Sequence, residues 1–147
     1  LEERDDMTHR EDLLGTDWTE VPTPNGWSTA GTADEWPAFT AHKRIKITAV
    51  KLVPATDIVG DATNYATVSA ENKGTDGTGT DEIASFAFDT ATTDDVDAFD
   101  EKALTLSTTA ADLVIEAGEV VSIKKAVTGT GEAVEGKVRF EYEPVGS

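Results

Sequence analysis

Residues 138–143 read Val-Arg-Phe-Glu-Tyr-Glu, and this run decides how the chain is read. Val138, Phe140 and Tyr142 alternate with Arg139, Glu141 and Glu143, the period of a strand with one buried and one solvated face. Upstream, Arg44-Ile45-Lys46-Ile47 begins the same alternation, then slips phase to Val50 and Leu52, which predicts a bulge near Thr48-Ala49. Further strands are expected over 64–70 and over 83–89, the latter with Ala84, Phe86 and Phe88 on one face. Shorter ones are expected over 103–106, 113–115 and 120–125. The intervening stretches are rich in glycine and aspartate, as in Asn72–Thr80 (NKGTDGTGT) and Gly129-Thr130-Gly131. Threonine is abundant, and residues favouring long helices are scarce. The expectation is an all-β fold, an antiparallel jelly-roll-like β-sandwich, over residues 43–147.

Residues 1–42 differ in kind. They hold all three tryptophans (Trp18, Trp27, Trp36) and three of the five prolines, and ten acids there face two arginines. Asp5 to Leu14 has the makings of a short helix that Gly15 ends, and the run from Val21 to Pro37 is turn chemistry. A solvated tail rarely carries three tryptophans, because each exposes a large apolar face. The segment therefore reads as an extended acidic N-terminal arm anchored through Trp18, Trp27, Trp36 and Phe39, its candidate contacts with a neighbouring subunit. The alternative is that these rings pack on the chain's own domain.

The 147 residues carry a formal net charge of −17 and no cysteine. The charge argues against nucleic acid and anionic membranes as partners. Without cysteine there is neither a disulfide framework nor a thiolate nucleophile. No apolar run approaches the ~20 residues that cross a bilayer. Leu1 to Arg10 carries four acids and no hydrophobic stretch, so no secretory signal is expected there.

Catalytic chemistry finds little to work with. The histidines are His9 and His42, and no nucleophile elbow, phosphate-binding loop, zinc-protease or dinucleotide pattern is present. The pairs Asp81-Glu82 and Asp94-Asp95 sit in polar loops, without the apolar surroundings that raise a carboxyl pKa. Asp76–Glu82 and Asp94–Asp97 place oxygen ligands at short spacing, and calcium takes six to eight oxygens. A solvated turn explains the first run more simply than a metal loop. No catalytic residue, metal or cofactor is assigned, and the chain is expected not to be an enzyme.

Residues 47–90 and 103–144 resemble a family of small tailed-phage proteins that decorate or cement the head or form a head-fibre base. The matching elements are an opening strand that ends at Pro54, the strand Thr63–Ser69 (TNYATVS), the loop Asn72–Thr80, and Ala117–Val121 (AGEVV). The resemblance implies a structural virion protein on the outer capsid surface, assembled in the host cytoplasm and bound across subunits of the major capsid protein. It also implies a homo-oligomer, a trimer at a local three-fold position. The arm is not part of it. A carbohydrate- or host-surface-binding module displayed on the virion is the alternative.

Overall fold

The computed structural model describes residues 15–146. The helix expected over Asp5 to Leu14 lies outside the described residues, as does His9. Ten strands follow one another among the described residues: β1 (Asp17–Pro22), β2 (Asp34–Thr40), β3 (Ile45–Pro54), β4 (Tyr65–Asn72) and β5 (Asp81–Ala87). Then come β6 (Lys102–Ala103), β7 (Thr105–Leu106), β8 (Val114–Ile115), β9 (Val120–Thr128) and β10 (Gly136–Pro144). They form two antiparallel sheets of a jelly-roll-like sandwich. Sheet I has the order β1-β10-β3-β6, with β8 also paired to β3; sheet II has the order β2-β9-β4-β5-β7.

The alternation in β10 does what its period requires. Val138 and Phe140 are fully buried beside Val50 and Leu52 of β3, while Arg139 and Lys51 pair on the outer face. Sheet II answers with Val68 and Ala70 of β4 and Val121 and Ile123 of β9, and the two inner faces make one apolar cluster. The phase slip in β3 is a bulge: Glu141 pairs with Ala49 and Tyr142 with Ile47, so Thr48 has no partner across the ladder. A second bulge explains why Ile83 and Ala84 are both buried although adjacent. Ala70 pairs with Ala84 and Glu71 with Glu82, leaving Ile83 as the extra residue.

The boundary at residue 42 requires correction. The described part of residues 1–42 is woven into both sheets rather than extended from them. β1 pairs along its whole length with β10, from Asp17–Tyr142 to Pro22–Lys137, and β2 pairs with β9. Between them a 3-10 turn, Asn25–Ser28, inserts Trp27 into the core with no exposed surface. The physical reason is burial. An indole placed in the core removes a large apolar area from water, which favours docking over a solvated arm.

This arrangement sets the first expected outcome. A fragment of residues 43–147 uncovers the edges of β9 and β10 and empties the Trp27 site. It should lack a cooperative urea transition, whereas the full chain should show one. Trp27→Ala in the full chain should lower stability by about 3–5 kcal/mol, measured by urea denaturation.

Candidate functional site

Both outer faces of the sandwich are covered by ion pairs. On sheet I, Lys51 bridges Glu101 at 3.2 Å and Glu141 at 3.0 Å, Arg139 pairs with the same two acids, and Lys137 meets Glu20 at 2.7 Å. Hydrogen bonding from Lys51 holds the Glu141 carboxyl below its ordinary range, and the same contact, with Glu101, raises Lys51. On sheet II, Glu71 lies between Lys73 and Lys124, and Glu35 accepts from Lys73 and from the Ser122 hydroxyl. Exposed pairs of this kind add little stability each, but they commit most of the cations to acids of the same face.

The four anchor candidates separate against this background. Trp18 lies on β1, opposite Glu141, on the outer face of sheet I and is 56% exposed. Trp36 lies on β2 and is 48% exposed, lining a shallow recess with Pro22, Pro24, Asn25 and Asp34. β1 and β2 approach each other at one margin of the sandwich, so both rings belong to that margin. Trp27 is core and is removed from the candidates, since a ring with no exposed surface touches no neighbour. Phe39 is half-buried, edge-on to Phe140 at 5.2 Å and stacked on Tyr142 at 6.3 Å. It ties sheet II to sheet I across the same margin.

Two exposed apolar residues were not legible as such. Phe99 is 78% exposed in a turn, and Val59 is 57% exposed. The available signal was that Asp97-Ala98-Phe99-Asp100 breaks strand alternation and flanks its aromatic with acids.

The edges of the sheets are blunted. β1 carries Asp17, Glu20 and Pro22, β2 carries Pro37 and a bulge, and β6 and β7 are two residues each. Short strands, prolines and charges on edges oppose pairing with another sheet.

The acidic loops stitch backbone. Asp76 accepts from the Thr78 N–H at 3.0 Å and its hydroxyl at 2.8 Å, and these bonds hold its carboxyl below the ordinary range. Asp61 accepts from Asn64 and Thr63 N–H with the same effect. Asp94 accepts from Thr90 N–H and Asp95 from Gly60 N–H. Among the described residues, no three His, Asp or Glu side chains converge as a metal site would need. His42 is exposed, beside a recess formed with Phe39 and Tyr142.

Lys125 and Glu132 bring titratable groups into the interior. Lys125 of β9 is fully buried, and its ammonium donates to the Trp27 carbonyl at 2.9 Å and the Thr29 carbonyl at 2.8 Å. Burial lowers its pKa, with the nearby Glu132 opposing. Glu132 accepts from Val59 N–H at 2.5 Å through Oε1, while its Oε2 is buried without a partner. Burial raises the Glu132 pKa, reinforced by Asp95 and Asp61 and opposed by Lys125 and the Val59 bond.

No family model matches this sequence, and no curated protein matches it. A solved structure, that of infectious bursal disease virus Gx strain, aligns over 92% of this chain and 32% of that chain at 12% identity, with a TM-score of 0.30. The chain thus spans about a third of that structure's length. A superposition that loose carries no argument about fold or function.

The raised Glu132 pKa has a defined consequence for stability. A carboxyl raised in the folded state contributes stability fully below its unfolded value, near 4.5, and loses it as pH rises through the folded value. Glu132→Gln keeps an oxygen for Val59 and stays neutral throughout. Its urea midpoint should exceed that of the parent at pH 7 and coincide with it near pH 4. A midpoint at pH 7 no higher than the parent's would contradict this reading of Glu132.

Proposed function

We propose that this protein is a structural component of a tailed-phage virion that decorates or cements the capsid by binding across subunits of the major capsid protein. The observation that carries the proposal is the pair of exposed tryptophans, Trp18 and Trp36, at one margin of the sandwich, in a chain that resembles phage head-decoration proteins. A protein that holds shell subunits together needs contact area and aromatic anchors rather than a deep cleft, and tryptophans dominate such interfaces when they become buried. The proposal assigns a binding role on the outer capsid surface and no catalysis.

Electrostatics suits a basic partner. A chain of net charge −17 is steered to a positively charged surface and repelled by other acidic ones. A trimeric arrangement on the shell belongs to the same proposal. The blunted edges favour its forming through side-chain contacts or through the shell, not through strand pairing.

A second reading, a carbohydrate- or host-surface-binding module on the virion, is favoured by the Trp36 recess. There Trp36, Asn25 and Asp34 line one recess, residue types suited to stacking on and hydrogen bonding to a sugar. A glycan array separates the readings, since specific binding lost in Trp36→Ala supports only the second.

The first reading is tested by titrating the protein onto purified undecorated phage shells. Trp18→Ala combined with Trp36→Ala should weaken shell binding by about 30-fold or more while leaving the urea midpoint nearly unchanged. Parent protein that leaves the shells bare, or a double variant that binds equally well, contradicts it.

A further inference from the structure

Phe99 occupies a position where folding alone favours a different residue. The Asp100 N–H donates to the Asp97 carbonyl at 3.0 Å, closing a four-residue turn, and Phe99 takes its third position at a φ of +70°. A turn with positive φ there ordinarily takes glycine or asparagine, and a bulky side chain in that conformation is a true outlier. The turn is held in place from two sides. The Phe99 N–H donates to the Pro54 carbonyl at 2.7 Å, and the Ala98 N–H donates to the Asp57 carboxylate at 2.8 Å. This strain buries little apolar surface of the chain itself, because Phe99 is 78% exposed.

The ring stands over an open apolar concavity of about 440 Å³, lined by Val53, Pro54, Ala55, Gly136 and Lys137. Gly136, at φ +146°, admits no side chain, since a Cβ there would collide with the Val53 carbonyl. Lys137 is already paired with Glu20. The turn also carries Asp97 and Asp100, both exposed, and Asp57, which is exposed and accepts from the Ala98 N–H. Among the described residues, none of these three acids makes an ion pair with a Lys or Arg.

We infer that the Phe99 turn and the concavity beneath it form a docking site for a polypeptide segment that places an apolar side chain between lysines or arginines. The apolar residue covers Phe99 and the Pro54 floor, and the flanking cations meet Asp97, Asp100 and Asp57. Backbone strain maintained at an exposed aromatic is a common mark of ligand-contacting loops. Acids without an ion-pair partner beside an apolar centre select a basic partner and oppose a second copy of this acidic chain. The lining of this site includes neither Trp18 nor Trp36, and the inference does not depend on the shell reading.

The test uses the full chain and three capped peptides: Lys-Lys-Trp-Lys-Lys, Lys-Lys-Ser-Lys-Lys and Glu-Glu-Trp-Glu-Glu. Backbone amide chemical shifts are followed by NMR. The basic tryptophan peptide should move the amides of Ala55, Asp100 and Gly136 saturably, and the other two should bind there at least tenfold more weakly. Phe99→Gly, which suits the turn, should retain or raise the melting temperature and weaken this binding at least tenfold. Asp97→Asn with Asp100→Asn should weaken it and flatten its salt dependence. The inference is overturned by equal binding of the serine or acidic peptide, by shifts that spread over the acidic surface, or by binding that survives Phe99→Gly. It is equally overturned by self-association of the parent that Phe99→Gly abolishes, which would assign the surface to a second copy.

Discussion

The carbonyl of Trp27 accepts from two donors, the Val134 N–H at 2.8 Å and the buried Lys125 ammonium at 2.9 Å. Lys125 also reaches the Thr29 carbonyl, so one side chain of β9 holds the turn at the indole-bearing residue and at the residue that ends it. The chain entering this turn comes from β1 at the edge of sheet I, and the chain leaving it becomes β2 at the edge of sheet II. The clamp therefore fixes the connection between the margin strands of the two sheets, which the β1–β10 and β2–β9 ladders hold on either side. A lysine in the core is costly unless hydrogen-bonded, and here backbone carbonyls of the inserted turn satisfy it.

With the core closed by Trp27, the remaining aromatics divide by position. Phe39, Phe140 and Tyr142 seal the gap between the sheets along the β1/β2 margin. Trp18, Trp36 and Phe99 are left facing outward. The broad faces between them are ion-pair ladders, which keep the surface soluble and contribute little affinity in themselves. Any strong contact must come from the margin or from the Phe99 turn, where large apolar groups lie beside acids. The loops are stitched by Asp61, Asp76, Asp94 and Asp95, each bound to backbone N–H groups.

Much of the sandwich was legible because its central strands obey a period. β10, β9 and β4 alternate, and the bulge at Thr48 was visible as a slip of phase in the apolar residues. β1 and β2 were hidden for physical reasons. Edge strands bury only part of one face, β2 contains Pro37 and a bulge, and the segment between them is turn chemistry. Composition marked the tryptophans as anchored but could not tell which surface anchored them. The structure answers separately for each: Trp27 inside, Phe39 across the seam, Trp18 and Trp36 at the surface. Lys125 left no trace in the sequence, since a lysine at a strand position ordinarily faces solvent. The exposed Phe99 was hidden because aromatic residues in β-domains are usually core, and positive φ cannot be read from residue type.

Hydrogen exchange across residues 17–40, measured on the free protein and again on shells it occupies, bears most directly on this account. In the free protein the amides of 17–22 and 34–40 that pair with β10 and β9 should already exchange slowly, together with the Trp27 N–H bonded to Pro24. On the shell, the remaining fast amides along the Trp18 and Trp36 margin should slow further. Rapid exchange throughout 17–40 in the free protein, slowing only on the shell, would show an arm that folds upon binding and would contradict the integrated sandwich described above.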